Sequence, residues 1–432
     1  MDKDYFEATG FLKEVEVLTP PGVERAVLVG VEGKGGLTQE QIDELGELAR
    51  TAGATVVGEL LWRRGSIHPG HYLGKGKIEE LKDLADSVGA DLVITNDELS
   101  PAQLRNFSEM LDRKVVDRTA LILDIFAMRA RSAEGIAQVE MAQLRYRLSR
   151  LAGAGMGKAL SRLGGGIGTR GPGETKLETD RRHIREKLNR LRQELVEIRQ
   201  RRDISRKNRD RGAVPVISLV GYTNAGKSTL MNMLSGAEVF VEDKLFATLD
   251  TTTRKIDING AEALLTDTVG FIQKLPTGLV EAFKSTLEEL KYADILLHVV
   301  DASNESYPNQ MDVAYDTISS LGAGESPIIT VFNKMDKIEG APKPFDTRAF
   351  ACVHVSALSG QGREELMSAV AKALTSMRKR LTVLIPFTEG KLLDYVHKNC
   401  TILSQEHVEN GTRVELYVDS QAASRLEGVI TI

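Results

Sequence analysis

Apolar and polar positions follow two different rhythms along this chain, and the changes of rhythm mark its parts. Short apolar runs bounded by polar or glycine-bearing stretches recur over residues 22–118. Ala26 to Val31, Thr55 to Leu61, Leu92 to Thr95 and Val115-Val116 predict strands. Between them Gln39 to Thr51, Gly76 to Val88 and Pro101 to Leu111 place apolar residues at three- and four-residue steps and predict helices, with Thr38 as a cap for the first. Alternating strands and helices predict a small parallel-sheet layer. Residues 1–20 read as a loosely held lead-in, closed by Pro20-Pro21-Gly22.

The helical period then lengthens. Thr119 to about Leu151 predicts one long helical segment, followed by a glycine-rich loop from Gly153 to Gly173. From Glu178 to Asp210 a charged helix carries Ile184, Leu188, Leu191, Leu195 and Ile198 on a narrow stripe, which predicts a helical hairpin with one covered seam. Strand–helix alternation returns over residues 213–377 in a doubly wound pattern. In the tail, Leu381 to Ile385 and Arg413 to Val418 predict strands, with Gly390 to His397 a helix between them. The expected fold class is α/β. It has an N-terminal domain (residues 1–118), a hairpin linker (119–212), a doubly wound α/β domain (213–377) and a small α+β C-terminal domain (378–432).

Composition adds limits. A chain of 432 residues is too long for one ordinary core, and 42% hydrophobic with 27% charged residues is the balance of a globular protein. The net charge is −5, so any nucleic-acid contact has to be local. Arg181, Arg182, Arg185, Lys187, Arg190, Arg192, Arg201 and Arg202 make the second hairpin helix basic; it is either a solvated face or an RNA-facing one. Cys352 and Cys400 stand far apart without metal-ligand spacing and read as reduced thiols of a cytoplasmic protein. No signal peptide or membrane-spanning run is read.

Chemistry concentrates after residue 213. Gly221-Tyr222-Thr223-Asn224-Ala225-Gly226-Lys227-Ser228 follows the apolar run Val216 to Val220 and precedes a helix-like run from Thr229. Strand, glycine loop and helix start can wrap backbone N–H groups around phosphates, with the helix adding its positive end. Lys227 is expected on the outer phosphates and the Ser228 hydroxyl on magnesium. Asn333-Lys334-Met335-Asp336 follows Ile328 to Phe332. An acceptor-only carboxylate at Asp336 suits the N1–H and 2-amino donors of guanine, while adenine would leave it unpaired. Asn333 is expected to tie this loop to the phosphate loop, and the Lys334 stem to cover the base. Ser356-Ala357-Leu358 is expected to offer the Ala357 N–H to the guanine carbonyl. Asp267-Thr268-Val269-Gly270 ends another strand; Asp267 is expected to hold magnesium through water and Gly270 to sense the γ-phosphate. Phe246-Ala247-Thr248-Leu249-Asp250-Thr251-Thr252-Thr253-Arg254 lies where a first switch loop belongs, with Thr248 the expected magnesium ligand and Thr252 its rival. Phe271 stands where many relatives of this design carry a water-orienting glutamine, so slow turnover alone is expected, with Gln273 or Arg254 as substitutes in cis. Asn224 sits where cation-dependent GTPases carry an asparagine that helps hold potassium, and that likeness implies stimulation by potassium.

Other signals have blander readings. Gly153-Ala154-Gly155-Met156-Gly157-Lys158 resembles a second phosphate loop but lacks a preceding strand, so a connector is expected. Gly74-Lys75-Gly76-Lys77 is either a turn opening a helix or an anion site. His68 and His71 lack ligand-type neighbours for a metal. Trp62 reads as packing.

The chain resembles the HflX family of GTPases over nearly its whole length. The resemblance rests on Gly74 to Lys77, Asp117 to Phe126, Asp267 to Phe271 and, most specifically, Gly164-Gly165-Gly166-Ile167-Gly168-Thr169-Arg170-Gly171-Pro172-Gly173-Glu174-Thr175. Thr251 departs from it, since members often have proline there. The resemblance implies a GTP-hydrolysing switch that binds the ribosome, especially the large subunit and its RNA. It favours Thr248 as the switch ligand and implies action in ribosome splitting, rescue or stress. Arg181, Arg182 and Arg185 are the expected RNA contacts, and a monomer is the simplest expectation. A GTPase-driven RNA-modifying or RNA-remodelling factor is the alternative.

Overall fold

The computed structural model describes residues 11–14, 22–32, 39–62, 66–161, 176–209, 214–236, 245–246, 252–258, 260–272, 288–324, 326–338, 340, 342–377, 379–418 and 426. The chain divides into two units. One comprises Met1–Asp203, Phe240–Thr251 and Thr268–Glu288; the other comprises Ile204–Val239, Thr252–Asp267 and Glu289–Ile432.

The first unit begins with strands β1 (Phe11–Glu14), β2 (Arg25–Val31), helix α1 (Gln39–Thr51), β3 (Thr55–Trp62), α2 (Lys75–Ser87), β4 (Leu92–Thr95), α3 (Pro101–Leu111) and β5 (Lys114–Asp117). The sheet order is β1-β3-β2-β4-β5, with β2 to β5 parallel. Helices on the faces bury β2, β3 and β4 from both sides, which is why they read as apolar runs, while the edge strand β5 is only partly covered. Val27, Val29, Leu60, Tyr72, Leu81 and Phe107 form the core, and Trp62 packs against it. α3 starts sharply because Pro101 follows Ser100, whose hydroxyl accepts from the Gln103 N–H while the Gln103 side chain accepts from the Ser100 N–H.

β1 corrects the reading of residues 1–20 as lead-in, since it pairs antiparallel with β3. Four residues of mixed polarity carry no local period; the open edge of β3 makes them a strand. Thr38, the expected cap of α1, lies outside the described residues.

Two helices replace the single one expected from Thr119: α4 (Arg118–Arg129) and α5 (Ala133–Ser161). Ser132 accepts from the Gly135 N–H at 2.9 Å and so caps a new start. α5 also runs through Gly153 to Ser161, where a loop was expected; helix already seeded by a packed segment propagates through isolated glycines. Residues 162–175 lie outside the described residues. α6 (Lys176–Arg209) returns along α5, and Leu188, Leu191 and Leu195 close on Ala137, Met141 and Leu144. The buried Asp117 joins β5 to this arrangement. It caps α4 through the Ala120 N–H at 2.9 Å, accepts from the Tyr146 hydroxyl at 2.9 Å and pairs with Arg150.

The second unit contains β6 (Val216–Gly221), α7 (Lys227–Ser235), β7 (Thr252–Ile258), β8 (Ala261–Asp267), β9 (Ile295–Asp301), α8 (Tyr307–Ser320), β10 (Ile328–Asn333), β11 (Ala351–His354) and α9 (Arg363–Ser376). The six strands run in the order β11-β10-β9-β6-β8-β7, parallel except for the hairpin partner β7. Then β12 (Lys379–Ile385), α10 (Gly390–Asn399), β13 (Thr401–Val408) and β14 (Gly411–Val418) form an antiparallel sheet of order β12-β14-β13. Val383, Val396, Val414 and Leu416 form its core. β13 was not anticipated. It is an exposed edge strand, and a register shift between Ile402 and Ser404 interrupts its alternation.

Candidate functional site

The phosphate loop is shaped by two glycines whose neighbours leave no room for a side chain. Gly221 has φ 145°, and a Cβ there would lie 2.2 Å from the Val299 carbonyl oxygen of the adjacent strand β9. Gly226 has φ 91°, and its Cβ would lie 2.2 Å from Asn333 Nδ2. Between them Asn224 is exposed and left-handed, with φ 59°. Tyr222, Thr223 and Ala225 are buried, and Thr229 is half-buried in the first turn of α7. The first N–H groups of a helix have no partner within it, so the start of α7 presents donors to an anion.

Lys227 is the first residue of α7 and is buried; its Nζ donates to the carbonyls of Tyr222 at 2.7 Å and Gly221 at 3.2 Å. Burial pushes its pKa down to about 8, with Asp267 pulling the other way. Ser228 Oγ donates to Asp267 Oδ2 at 2.9 Å. A hydroxyl and a carboxylate in contact at a phosphate loop are hard oxygen donors of the kind magnesium takes, so the donor set fits that ion.

Asn333 ends β10 and links three loops. Its Nδ2 donates to the Ala225 carbonyl at 2.8 Å, and its Oδ1 accepts from the Ala357 N–H at 2.9 Å. The Ala357 N–H, expected to face a guanine carbonyl, thus donates to Asn333 here. Ser356 is fully buried, Ala357 is buried and Leu358 is 85% exposed. Lys334 adopts a left-handed conformation, with φ 62° and ψ 33°. Its Nζ reaches Asp301 Oδ2 at 2.6 Å. Met335 is half-buried and Asp336 is exposed in the short 3-10 turn Met335–Lys337.

Thr268, Val269, Gly270, Phe271 and Ile272, which follow Asp267, are all buried. Phe271 therefore offers an apolar ring where a water-orienting amide was looked for. Phe246 is buried with φ 54°, and its ring meets Phe126 edge-on at 4.6 Å. The neighbouring Leu245 N–H donates to Thr51 Oγ1 at 3.3 Å. Ala247, Thr248, Leu249, Asp250 and Gln273 lie outside the described residues. Thr252, the rival of Thr248, opens β7 as an exposed residue paired with Asp267, and Thr253 and Arg254 continue that strand. Sequence reasoning gave no individual role to Thr51 or Asp301, and named Phe126 only as the end of the run from Asp117. Their contacts are long-range and leave no local pattern.

On α6, Arg181 donates to the Leu151 carbonyl at 2.9 Å, so it braces the hairpin. Arg182, Arg185 and Arg192 are exposed on one stripe away from the seam. Gly74 precedes α2, whose first turn holds Lys75 to Lys77, so this stretch opens a helix. His68 and His71 stack at 4.0 Å, and no group of metal-binding side chains occurs among the described residues. No described helix is long and apolar enough to cross a membrane.

Known proteins can be set beside this geometry. Residues 39–127 match the family described as GTP-binding GTPase N-terminal, residues 129–209 the GTP-binding GTPase Middle Region, and residues 216–334 the 50S ribosome-binding GTPase. A GTPase HflX from Caldanaerobacter subterraneus is 48% identical over 408 residues, 94% of each chain. One from Lacrimispora saccharolytica is 48% identical over 417 residues, 96% of each. A GTP-binding protein from Sulfolobus solfataricus, solved with GDP, is 25% identical with a TM-score of 0.46, covering 82% of this chain and 99% of its own.

Proposed function

The chain belongs to the HflX family of GTPases, and from this membership we propose a GTP-operated switch that docks on the large ribosomal subunit in the cytoplasm and acts in ribosome splitting, rescue or stress. Its reaction is hydrolysis of GTP to GDP and phosphate. The observation that carries the reading is the Asn333 side chain, which joins the phosphate loop at Ala225 to the loop of Ala357 beside Asp336. Phosphates and purine edge are thereby read in one frame.

Lys227 and the first N–H groups of α7 neutralise the outer phosphates. Ser228 would ligate magnesium, Asp267 would hold it through water, and Thr248 would join in the GTP state. Bound magnesium supplies charge withdrawal from the phosphate oxygens. The Gly270 N–H senses the γ-phosphate, and Asp336 selects guanine. Phe271 cannot orient a water, so the chain turns over slowly alone and faster when a partner completes the site. A group acting as an arginine finger is worth roughly a thousandfold or more. Asn224 would help hold a potassium ion near the phosphates, and equal rates in sodium and potassium would remove that element.

The RNA-facing surface is the exposed stripe of Arg182, Arg185 and Arg192. The deciding experiment measures GTP turnover with and without purified large subunits. Stimulation of about tenfold or more is expected. Unchanged turnover, together with co-sedimentation insensitive to Arg182, Arg185 and Arg192 each replaced by Glu, would defeat the ribosomal reading.

A further inference from the structure

The parallel register of β9 and β10 sets Asp301 beside Asn333, and the Ala302 N–H donates to the Asn333 carbonyl at 3.0 Å. Asp301 thus stands at the shoulder of the base-reading loop. Both of its carboxylate oxygens are committed. Oδ1 accepts from the N–H and hydroxyl of Ser303 at 3.0 and 2.6 Å, which fixes the carboxylate plane. Oδ2 accepts from Lys334 Nζ at 2.6 Å, in a pair with side chains only 17% and 20% exposed.

Lys334 is held at its other end too. Its left-handed backbone is unusual for a residue with a Cβ and persists only where surroundings enforce it. The Met335 N–H donates to the Val355 carbonyl at 3.2 Å, and the Lys337 N–H to the Lys334 carbonyl at 3.0 Å. With backbone and ammonium both tethered, the four methylenes between them become a fixed apolar strip two residues from Asp336. A lysine stem has among the largest rotamer freedoms of any side chain. A strip ordered before binding spares the ligand that ordering cost.

We infer that Asp301 is a positioning residue of the guanine site: it anchors the Lys334 ammonium so that the lysine stem forms the surface on which the base lies. This deepens the guanine-nucleotide reading and rests on it. The strip contacts the face of the ring, while Asp336 reads its edge. Removing the anchor therefore weakens binding of any purine that the edge accepts, without altering which purine is preferred.

The test uses the full chain and release of methylanthraniloyl-GDP followed by fluorescence. Asp301→Asn keeps the volume and the acceptor toward Ser303 and removes the charge. Lys334→Met keeps an apolar stem and deletes the ammonium, so it reads the same pair from the other side. Loss of a part-buried charge-assisted hydrogen bond is expected to speed release about tenfold in either variant. KM for GTP should rise by a similar factor while kcat at saturating GTP changes far less. The ratio of GDP to IDP affinity should hold, and Asp301→Asn should add nothing in the Lys334→Met background. Release at the unaltered rate in both variants would overturn the inference, as would an Asp301→Asn effect that persists without the ammonium. If the unaltered chain bound no methylanthraniloyl-GDP, the guanine-nucleotide reading itself would fall, and this inference with it.

Discussion

Burial at the foot of the glycine loop lowers the Lys227 pKa from 10.5 to about 8. A phosphate favours the charged ammonium and raises that value, so binding takes up a proton near pH 8. Calorimetry at pH 8 in buffers of different ionisation heat should find about half a proton absorbed per GDP, against almost none at pH 6. His298, on β9, obeys the same rule with a different readout. Burial pushes it down to about 4, with Asp346 opposing and Arg348 and Lys227 adding to the shift. A base whose folded pKa is depressed keeps full stability above its unfolded value, here 6.5, and loses it as pH falls toward 4. That loss is about 3 kcal/mol, and urea melts at pH 7 and 4.5 should show it shrink in His298→Leu. Asp336→Asn replaces an acceptor by a group that both donates and accepts. GTP affinity should fall at least about a hundredfold while xanthosine triphosphate, with a C2 carbonyl, gains. Competition binding checks the exchange. Lys227, Ser228, Asn333 and Asp336 could be singled out in the sequence because their motifs fix residue type at short spacing, and the expected tie of Asn333 to the phosphate loop is present. Asp301 could not be, because a carboxylate at a strand end gains meaning only once β9 and β10 lie in register.

Regular elements were legible where a period runs long enough to outvote local exceptions. β2, β4 and β10 are buried on both faces, and α3 has both proline and capping box, so each announces itself. The misses share one cause, which is that the deciding interaction is distant or concerns a single residue. β1 is made by the edge of β3, β13 is blurred by its register shift, and the break between α4 and α5 depends on one serine hydroxyl. The hairpin seam shows how narrow such a packing can be. Leu191 is 7% exposed against Ala137 and Met141. Leu191→Ala should cost about 2–4 kcal/mol and lower the denaturation midpoint monitored by helical circular dichroism. Val196→Ala, on an exposed residue of the same helix, should move it by no more than about 0.5 kcal/mol. Equal shifts in the two variants would mean that the seam contributes nothing particular.

Charge is distributed unevenly over the whole chain. α6 holds thirteen Lys and Arg against six Asp and Glu, a local balance of +7 within a chain of net −5, so all other residues together carry −12. An RNA approaching the arginine stripe meets attraction nearby and repulsion farther off, and the Debye length decides which it senses. At 0.15 M salt that length is about 8 Å, so charges on the helix and beside it, Glu140 included, dominate; near 0.01 M it is about 30 Å, and more of the acidic remainder enters. Binding to purified large-subunit RNA should therefore weaken steeply from about 50 to 200 mM potassium chloride at fixed low magnesium, with a slope reporting the phosphates neutralised. Below about 20 mM the logarithmic plot should flatten, because longer-ranged repulsion offsets the gain in counterion release. Replacing Arg182, Arg185 and Arg192 by Glu should reduce the steep slope by roughly one for each phosphate that these arginines neutralise. A plot that stayed straight down to about 10 mM would show that the acidic charge is too remote to matter. A slope untouched by the triple replacement would place the RNA-binding surface elsewhere on the chain.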